Sequence, residues 1–276
     1  MKELRIFPRK TNATPNDPCA IANRLPTLWD EADKISISVS FEWDIPRAEQ
    51  LADEWKVVTE NISLGGPAYK AHGGDFIAGR FLKPGYTITS RGCPNSCWFC
   101  RAWRNEGHEM RLLPIVEGFN VLDNNLLACP DSHINKVFDM LSKQKERPRF
   151  TGGFEAKLLK EWHVTRLIEL NPQVMWFAYD TPDDYEPLVH ASKLMSETKF
   201  FRQHIACCYV LIGWANDTIE KAEKRLKDTV KLGFFPQAML LDRGAKCKGG
   251  VKLWRRFARE WANKWIVGSK MKSGQA

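Results

Sequence analysis

A predicted strand leads directly into a cysteine-rich loop in the segment Tyr86-Thr-Ile-Thr-Ser-Arg-Gly-Cys93-Pro-Asn-Ser-Cys97-Trp-Phe-Cys100. Thiolates with the spacing C-x3-C-x2-C on one loop can converge on a soft metal, because such metals prefer sulfur ligands. The loop also follows the carboxyl end of a strand, where α/β proteins place their chemistry. The segment therefore predicts a metal centre held by Cys93, Cys97 and Cys100.

Three cysteines leave the identity of that metal open. A four-iron cubane held by three sulfurs keeps one iron free of protein ligands, which gives an open site for a chelating substrate. A structural zinc requires four ligands, and His108 could supply the fourth. Core cysteines that cluster without a metal are the third interpretation.

A regular alternation follows from Tyr86 onward. Apolar runs recur at steps of about 30 residues, the length that a strand, a helix and two loops require in a parallel βαβ unit. These runs begin near Tyr86, Phe119, Arg149, Val174, Ile205 and Gln237. Amphipathic segments lie between them, the clearest being residues 216–232, with Asp217 and Glu220 at capping-box spacing. The pattern predicts an α/β fold built as a partial (β/α)6 TIM-like barrel.

The N-terminal part of the sequence predicts a smaller α/β segment. Residues 1–33 carry four prolines among polar residues and predict an irregular arm. Residues 35–41 alternate as a strand, residues 47–56 form a helical face, and residues 61–64 predict a second strand. We therefore expect three parts: an arm with a small βαβ segment, a barrel core, and a basic C-terminal helix and tail. Their predicted bounds are 1–83, 84–242 and 243–276.

Composition narrows the class of protein. The chain has 276 residues, 43% hydrophobic and 27% charged, which is typical of a globular protein. No run of about 18 uncharged apolar residues and no apolar leader are present, so we expect a cytoplasmic protein without a membrane partner. Eight cysteines are too few for a disulfide framework at this length.

A net charge of +8 leaves nucleic acid open as a partner, although solvated basic faces are common. The excess concentrates after Arg243, where Trp254, Phe257, Trp261 and Trp265 also recur at helical spacing. Docking of this helix onto the core and binding of nucleic acid are both open interpretations. A zinc-stabilised nucleic-acid-binding module is accordingly the alternative function.

The cysteine loop resembles the signature of the radical S-adenosylmethionine (radical SAM) superfamily, C-x3-C-x-aromatic-C, with Phe99 at the aromatic position. The resemblance extends over residues 86 to about 242. It implies a [4Fe-4S] cluster whose unique iron chelates S-adenosylmethionine. One electron would cleave the sulfonium bond, and the 5′-deoxyadenosyl radical would abstract hydrogen from a substrate that is not identified. A nucleotide or nucleic acid, a small metabolite and a peptide are the open substrate classes; the positive charge favours the first, and the absence of auxiliary cysteines disfavours the peptide.

The resemblance also implies contacts with S-adenosylmethionine at the strand ends. The methionine end would meet Asp123 and Asn124, our first choice, or the looser Gly-Gly-Glu form in Thr151-Gly152-Gly153-Phe-Glu155. Asp180 takes the place of a residue that touches the ribose hydroxyls. Ile212 and Gly213 resemble the Gly-x-Ile-x-Gly element that meets adenine, although cysteine replaces its first glycine.

Two further expectations concern partners and the N-terminal segment. The resemblance implies a one-electron donor such as flavodoxin or ferredoxin. Residues 35–67 are similar to the last strand-helix-strand of a cobalamin-binding domain, but Asp-x-His-x-x-Gly, which supplies the cobalt ligand, is missing and His72 stands outside any such motif. We expect a truncated segment that binds no cobalamin.

Overall fold

The computed structural model describes residues 2–69, 74–241 and 250–273. The chain divides into two units, Met1–Gly118 and Phe119–Ala276. His72 and Cys247 lie outside the described residues, as do Arg243, Lys246 and Lys248 at the start of the basic C-terminal stretch. The domain bounds expected from the sequence stay a prediction.

The first unit combines a parallel sheet with a short antiparallel pair. Its elements are β1 (Glu3–Phe7), β2 (Ala20–Ala22), β3 (Lys34–Ser38), α1 (Ile45–Trp55), β4 (Ile62–Gly65), β5 (Tyr86–Thr87), β6 (Ser90–Arg91), α2 (Ala102–Glu106) and β7 (Arg111–Leu112). The parallel sheet has the order β2-β1-β3-β4, and β6 pairs with β7 in the antiparallel sense.

The predicted strand-helix-strand segment is confirmed as β3, α1 and β4. Ile35 lies opposite Ile62 in the parallel ladder. Pro46 stands in the first turn of α1, where its missing N–H costs no hydrogen bond. Leu51 and Trp55, four residues apart on one helix face, are fully buried in the core of this unit. Each such side chain contributes roughly 2 kcal/mol by leaving water.

The prediction of an irregular arm over residues 1–33 is wrong, because this segment contains β1 and β2. Both strands are short, and the prolines fall outside them. β1 lies between β2 and β3, so its backbone groups find partners on both sides. Those partners come from distant parts of the chain, and local propensity does not reveal them.

The second unit alternates strands and helices. Its elements are β8 (Asn120–Val121), α3 (Asp131–Ser142), β9 (Arg149–Phe150), α4 (Glu161–Leu170), β10 (Val174–Tyr179), α5 (Tyr185–Met195), β11 (Ala206–Ile212), α6 (Ile219–Lys231), β12 (Phe235–Leu240), α7 (Val251–Ala262) and α8 (Lys264–Lys272). The strands pair in parallel, in the order β8-β9-β10-β11-β12.

The α/β class is confirmed, with parallel sheets in both units. Each predicted strand from Tyr86 onward starts within two residues of an observed one. The parallel sheets are open, and the residues that the structure describes form no closed barrel. All carboxyl ends of β8 to β12 point the same way, since the strands are parallel, and this edge positions the predicted cofactor residues.

The helices α6 and α7 bear on two expectations from the sequence. The N-cap of α6 is Thr218, whose hydroxyl accepts from the Lys221 N–H at 3.3 Å, so the predicted capping role of Asp217 is wrong. Docking of the C-terminal helix onto the core was one of the two interpretations, and it is the one observed. α7 packs against β12 and buries Trp254, Phe257 and Trp261, which removes these aromatic rings from any external partner.

Candidate functional site

The cysteine loop starts at a glycine that no other residue could replace without rearrangement. Gly92 follows β6 directly and has a φ of +92°. A Cβ atom on this residue would lie 2.1 Å from the Glu109 carbonyl oxygen. The chain can therefore turn from β6 into Cys93 only because position 92 lacks a side chain.

Backbone hydrogen bonds fix the path of the loop. The Cys93 N–H donates to the Gly107 carbonyl at 3.1 Å, which ties the first cysteine to the residue after α2. The Cys97 carbonyl accepts from the Cys100 N–H at 3.0 Å and from the Trp103 indole N–H at 2.9 Å. The loop is thus anchored to α2 at both ends.

The three thiols differ in exposure and surroundings. Cys93 is buried, whereas Cys97 and Cys100 are half-buried. The Ala102 N–H points at the Cys100 sulfur at 3.4 Å. Hydrogen bonds to sulfur stabilise negative charge there, and they tune iron-sulfur clusters. Phe99 is half-buried and packs edge-on against Trp98, with ring centroids 5.4 Å apart.

The donor set fits an iron-sulfur cluster in chemistry, because three thiols on one short loop are the ligands that such a cluster takes. The side chains are not gathered for it. Across residues 2–69, 74–241 and 250–273, no group of three or more His, Cys, Asp or Glu side chains is arranged to hold a metal ion. His108, the fourth ligand of the zinc interpretation, stacks its ring on Trp103 with centroids 4.8 Å apart.

In the second unit the structure brings together the two segments that the sequence offered as alternatives. A Cβ atom on Gly152 would lie 2.2 Å from the Asp123 carbonyl oxygen. The Thr151 hydroxyl donates to the Asn120 side chain at 2.5 Å. The Gly152 N–H donates to the Val121 carbonyl at 3.1 Å. Asp123 and Gly152 therefore form one continuous surface at the ends of β8 and β9.

Acidic and amide groups border this surface. The Asn125 amide donates to the Glu155 carboxylate at 2.5 Å, and Glu155 also pairs with Lys157 at 2.7 Å. Asp123 is buried, while Gly152 is exposed to solvent. Asn124 and Gly153, which were named with them, are half-buried. An ammonium group that approached Gly152 would find the Asp123 carbonyl oxygen beside it.

Asp180 lies one residue beyond β10 and is 8% exposed. Its Oδ1 atom has no hydrogen-bond partner within the described part of the chain. Burial, and then the charge of Asp184, raise the pKa of Asp180 to about 7. The Asp184 carboxylate accepts from the backbone N–H groups of Asp180 at 2.9 Å and Thr181 at 2.7 Å. Asp180 thus presents a carboxyl that can hold a proton near neutral pH.

Ile212 and Gly213 close β11, and a buried ion pair fixes the turn. The Asp217 carboxylate accepts from the Gly213 N–H at 2.9 Å. Arg225 donates to both oxygens of Asp217, at 3.2 and 2.8 Å, and to the Leu211 carbonyl at 2.9 Å. The guanidinium also stacks on Trp214, 4.2 Å from the ring centroid.

Sequence reasoning missed Arg225 as a residue that holds a strand end, and it named Asp184 only as a substrate contact or a helix cap. A signal for Arg225 exists: it falls on the apolar face of α6, between Ala222 and Leu226, where a buried arginine requires an acidic partner. Asp184 also has a signal, because Thr181 and Asp184 stand at capping-box spacing, and the structure shows this capping box.

Comparison with family models and with curated proteins gives no match for this chain. Within the described residues, no helix is both long enough and apolar enough to cross a membrane. The functional assignment therefore depends on the cysteine loop and on the strand-end residues themselves.

Proposed function

We propose that this chain is a radical SAM enzyme with one [4Fe-4S] cluster and a partial (β/α)6 barrel core. The observation that carries the proposal is the loop from Cys93 to Cys100, which offers three thiols immediately after β6. The parallel strands β8 to β12 support it, because their carboxyl ends carry the polar residues that such an enzyme requires.

In this proposal Cys93, Cys97 and Cys100 hold the cluster. When bound, the cluster supplies the electron that cleaves S-adenosylmethionine to a 5′-deoxyadenosyl radical, which abstracts hydrogen from the substrate. The N–H of Ala102 stabilises the Cys100 thiolate. Phe99 places a half-buried ring beside Cys100 in this loop.

The second unit would orient S-adenosylmethionine through groups at its strand ends. The surface of Asp123 and Gly152 offers oxygens to the methionine ammonium group. Asp180 can donate or accept a hydrogen bond at a ribose hydroxyl, since its carboxyl holds a proton near neutral pH. The turn at Gly213, braced by Asp217, offers backbone groups to adenine. The proposal also includes a substrate that is not identified and a one-electron donor such as flavodoxin or ferredoxin. It places the protein in the cytoplasm.

Anaerobic purification of the full chain tests it. We expect brown protein with about four irons per chain that forms 5′-deoxyadenosine when reduced with S-adenosylmethionine. Changing Cys93, Cys97 or Cys100 to alanine removes the iron and the product. Cys19→Ser is the matched control, because Cys19 belongs to the first unit but lies outside the loop.

His108→Ala separates this proposal from the zinc-stabilised nucleic-acid-binding module. Only the zinc module uses His108 as a ligand, so we expect the variant to retain the cluster and product formation. A colourless protein that contains zinc, loses it with His108→Ala and forms no 5′-deoxyadenosine contradicts the proposal.

A further inference from the structure

One face of the second unit's sheet is partly open to solvent around Tyr209, although Trp176, Cys207 and Leu211 on the same face are buried. Partners in a parallel ladder point to the same side of the sheet, so Ala178, Tyr209 and Gln237 form one row across β10, β11 and β12. Ala178 is exposed, and Tyr209 and Gln237 are half-buried. On the opposite face Phe177 and Cys208 are completely buried, so that face is closed.

An aromatic platform underlies this row. The rings of Trp176 and Tyr209 stack with centroids 4.0 Å apart and planes inclined by 13°. Trp176 pairs in register with Cys207, which places its ring on the amino-terminal side of Tyr209. The other side of the Tyr209 ring is directed toward the carboxyl ends of the strands. There Met239, opposite Leu211, is 42% exposed.

The row also offers hydrogen-bonding groups that the fold does not use. Within the described residues, no hydrogen bond reaches the Tyr209 hydroxyl or the Gln237 carboxamide. A carboxamide presents a donor and an acceptor side by side, and a hydroxyl can act as either. These groups suit a ligand edge with alternating donors and acceptors, such as the edge of a nucleobase.

The paired rows lack charged side chains, and this narrows the chemical class of ligand that they suit. The residues paired across β10, β11 and β12 around Tyr209 carry no Asp, Glu, Lys or Arg side chain. A phosphate or carboxylate would find no cation among these paired residues, and an aliphatic ligand would leave the polar groups unsatisfied. One cation, Lys264, acts on the same face, where it partly offsets the raised pKa of the Cys207 thiol. A flat, uncharged nitrogen heterocycle satisfies both the ring and the polar groups, because bases stack readily on aromatic side chains.

We propose that the open face at Ala178, Tyr209 and Gln237 binds a nucleobase, and that the substrate is a nucleoside or a larger molecule containing one. Tyr209 stacks on the base and makes a hydrogen bond to the ligand through its hydroxyl, and Gln237 recognises the hydrogen-bonding edge of the base. The assignment of this base to the substrate rests on the proposed function, whereas the binding of a base does not.

Binding of free nucleosides to the unreduced full chain tests the inference. The probes are adenosine, guanosine, cytidine and uridine, with ribose as the control ligand, measured by calorimetry. We expect at least one nucleoside to bind and ribose not to bind. Gln237→Leu and Tyr209→Phe should each lower the affinity for that nucleoside by about fivefold or more, the effect of one lost hydrogen bond.

Tyr185→Phe is the matched control, because it removes a tyrosine hydroxyl beside Tyr179, away from the row. It should leave nucleoside affinity within about twofold, well inside the fivefold effect of a lost hydrogen bond. Tyr209→Phe keeps the ring, so it also decides the matter if Gln237→Leu does not fold. The inference is overturned if no nucleoside binds, if ribose binds equally well, or if neither Gln237→Leu nor Tyr209→Phe weakens binding.

A competition experiment distinguishes the substrate from S-adenosylmethionine, which carries adenine itself. We expect saturating S-adenosylmethionine to leave the nucleoside bound, and displacement would contradict the assignment of the face to substrate. The outcome is independent of cluster chemistry. A chain that cleaves S-adenosylmethionine but binds no nucleoside refutes only this inference, whereas nucleoside binding without cleavage refutes only the proposed function.

Discussion

Asp180 combines a buried position with an oxygen that no group in the described chain satisfies. Its pKa is raised to about 7 by burial and by Asp184, above the unfolded value of about 4. Between these pH values the folded state binds more protons than the unfolded state. Stability contributed by this group is therefore present below about pH 4 and falls as pH rises through about 7.

Asp180→Asn removes that titration. As the pH rises from 4.5 to 8, we expect the variant to become more stable relative to the parent chain, by up to about 3 kcal/mol. Urea unfolding at both pH values measures the change. Asp183→Asn, at the exposed neighbouring position, is the control and should follow the parent. If the free energy of unfolding of Asp180→Asn changed with pH as that of the parent does, the raised pKa of Asp180 would be refuted.

The residue scale also shows what sequence can provide. The three cysteines, Phe99 and the acids after the strands were found from spacing and position, because their chemistry is local. Arg225 and the Tyr209–Gln237 row were not found. Their roles depend on which strand lies beside which, and on the register of the ladder.

At the scale of elements, the close contact between the ends of β8 and β9 explains why two candidate segments form one surface. Asn120 pairs in register with Arg149. Because of this pairing, Gly152 lies against the backbone of Leu122 and Asp123. Neither segment matches the Gly-Gly-Glu pattern alone. The sequence could not combine them, since their alignment is set by pairing between strands that are distant in the chain.

Gly152→Ala tests this contact. The added Cβ atom would lie 2.2 Å from the Asp123 carbonyl oxygen, so the strand ends must move apart. We expect a loss of about 1–3 kcal/mol in the free energy of unfolding, measured by urea denaturation.

Gly268→Ala provides the control for an added methyl group. Gly268 lies in α8 with no atom within 4 Å of the added position, so this variant should be neutral or gain up to about 1 kcal/mol. The close approach of β8 and β9 would be contradicted if Gly152→Ala were as stable as the parent chain.

The elements themselves were predictable where their signal was local. The strands from Tyr86 onward, the helix α6 and the segment β3-α1-β4 follow from periodicity. β1 and β2 were not predictable from periodicity. β2 has only three residues, and in β1 the charged residues Glu3 and Arg5 obscure the apolar pattern. Short strands are specified by the strands that they pair with rather than by their own composition.

At the scale of the whole molecule, α7 separates its buried aromatic residues from its exposed arginines, whereas Trp265 in α8 is 88% exposed. α7 turns Trp254 and Trp261 into the core and leaves Arg256 and Arg259 exposed. The helix is thus first a packing element of the second unit. Its basic side remains available for an anionic partner, which the sequence left open.

The two units supply different parts of the proposed chemistry. The first contains the cysteine loop, and the second contains the strand ends and the open face of the sheet. The central claim is that the loop holds a cubane with one iron free for S-adenosylmethionine. This claim concerns electron density at one iron, so spectroscopy of iron tests it without reference to any substrate.

Mössbauer spectroscopy of the anaerobically reconstituted full chain, with and without S-adenosylmethionine, is the most direct measurement. We expect the signal of a single cubane, of which about a quarter shifts when S-adenosylmethionine binds, since one iron of four lacks a protein ligand. A chain that takes up no cubane, or whose spectrum is unchanged by S-adenosylmethionine, would contradict the account.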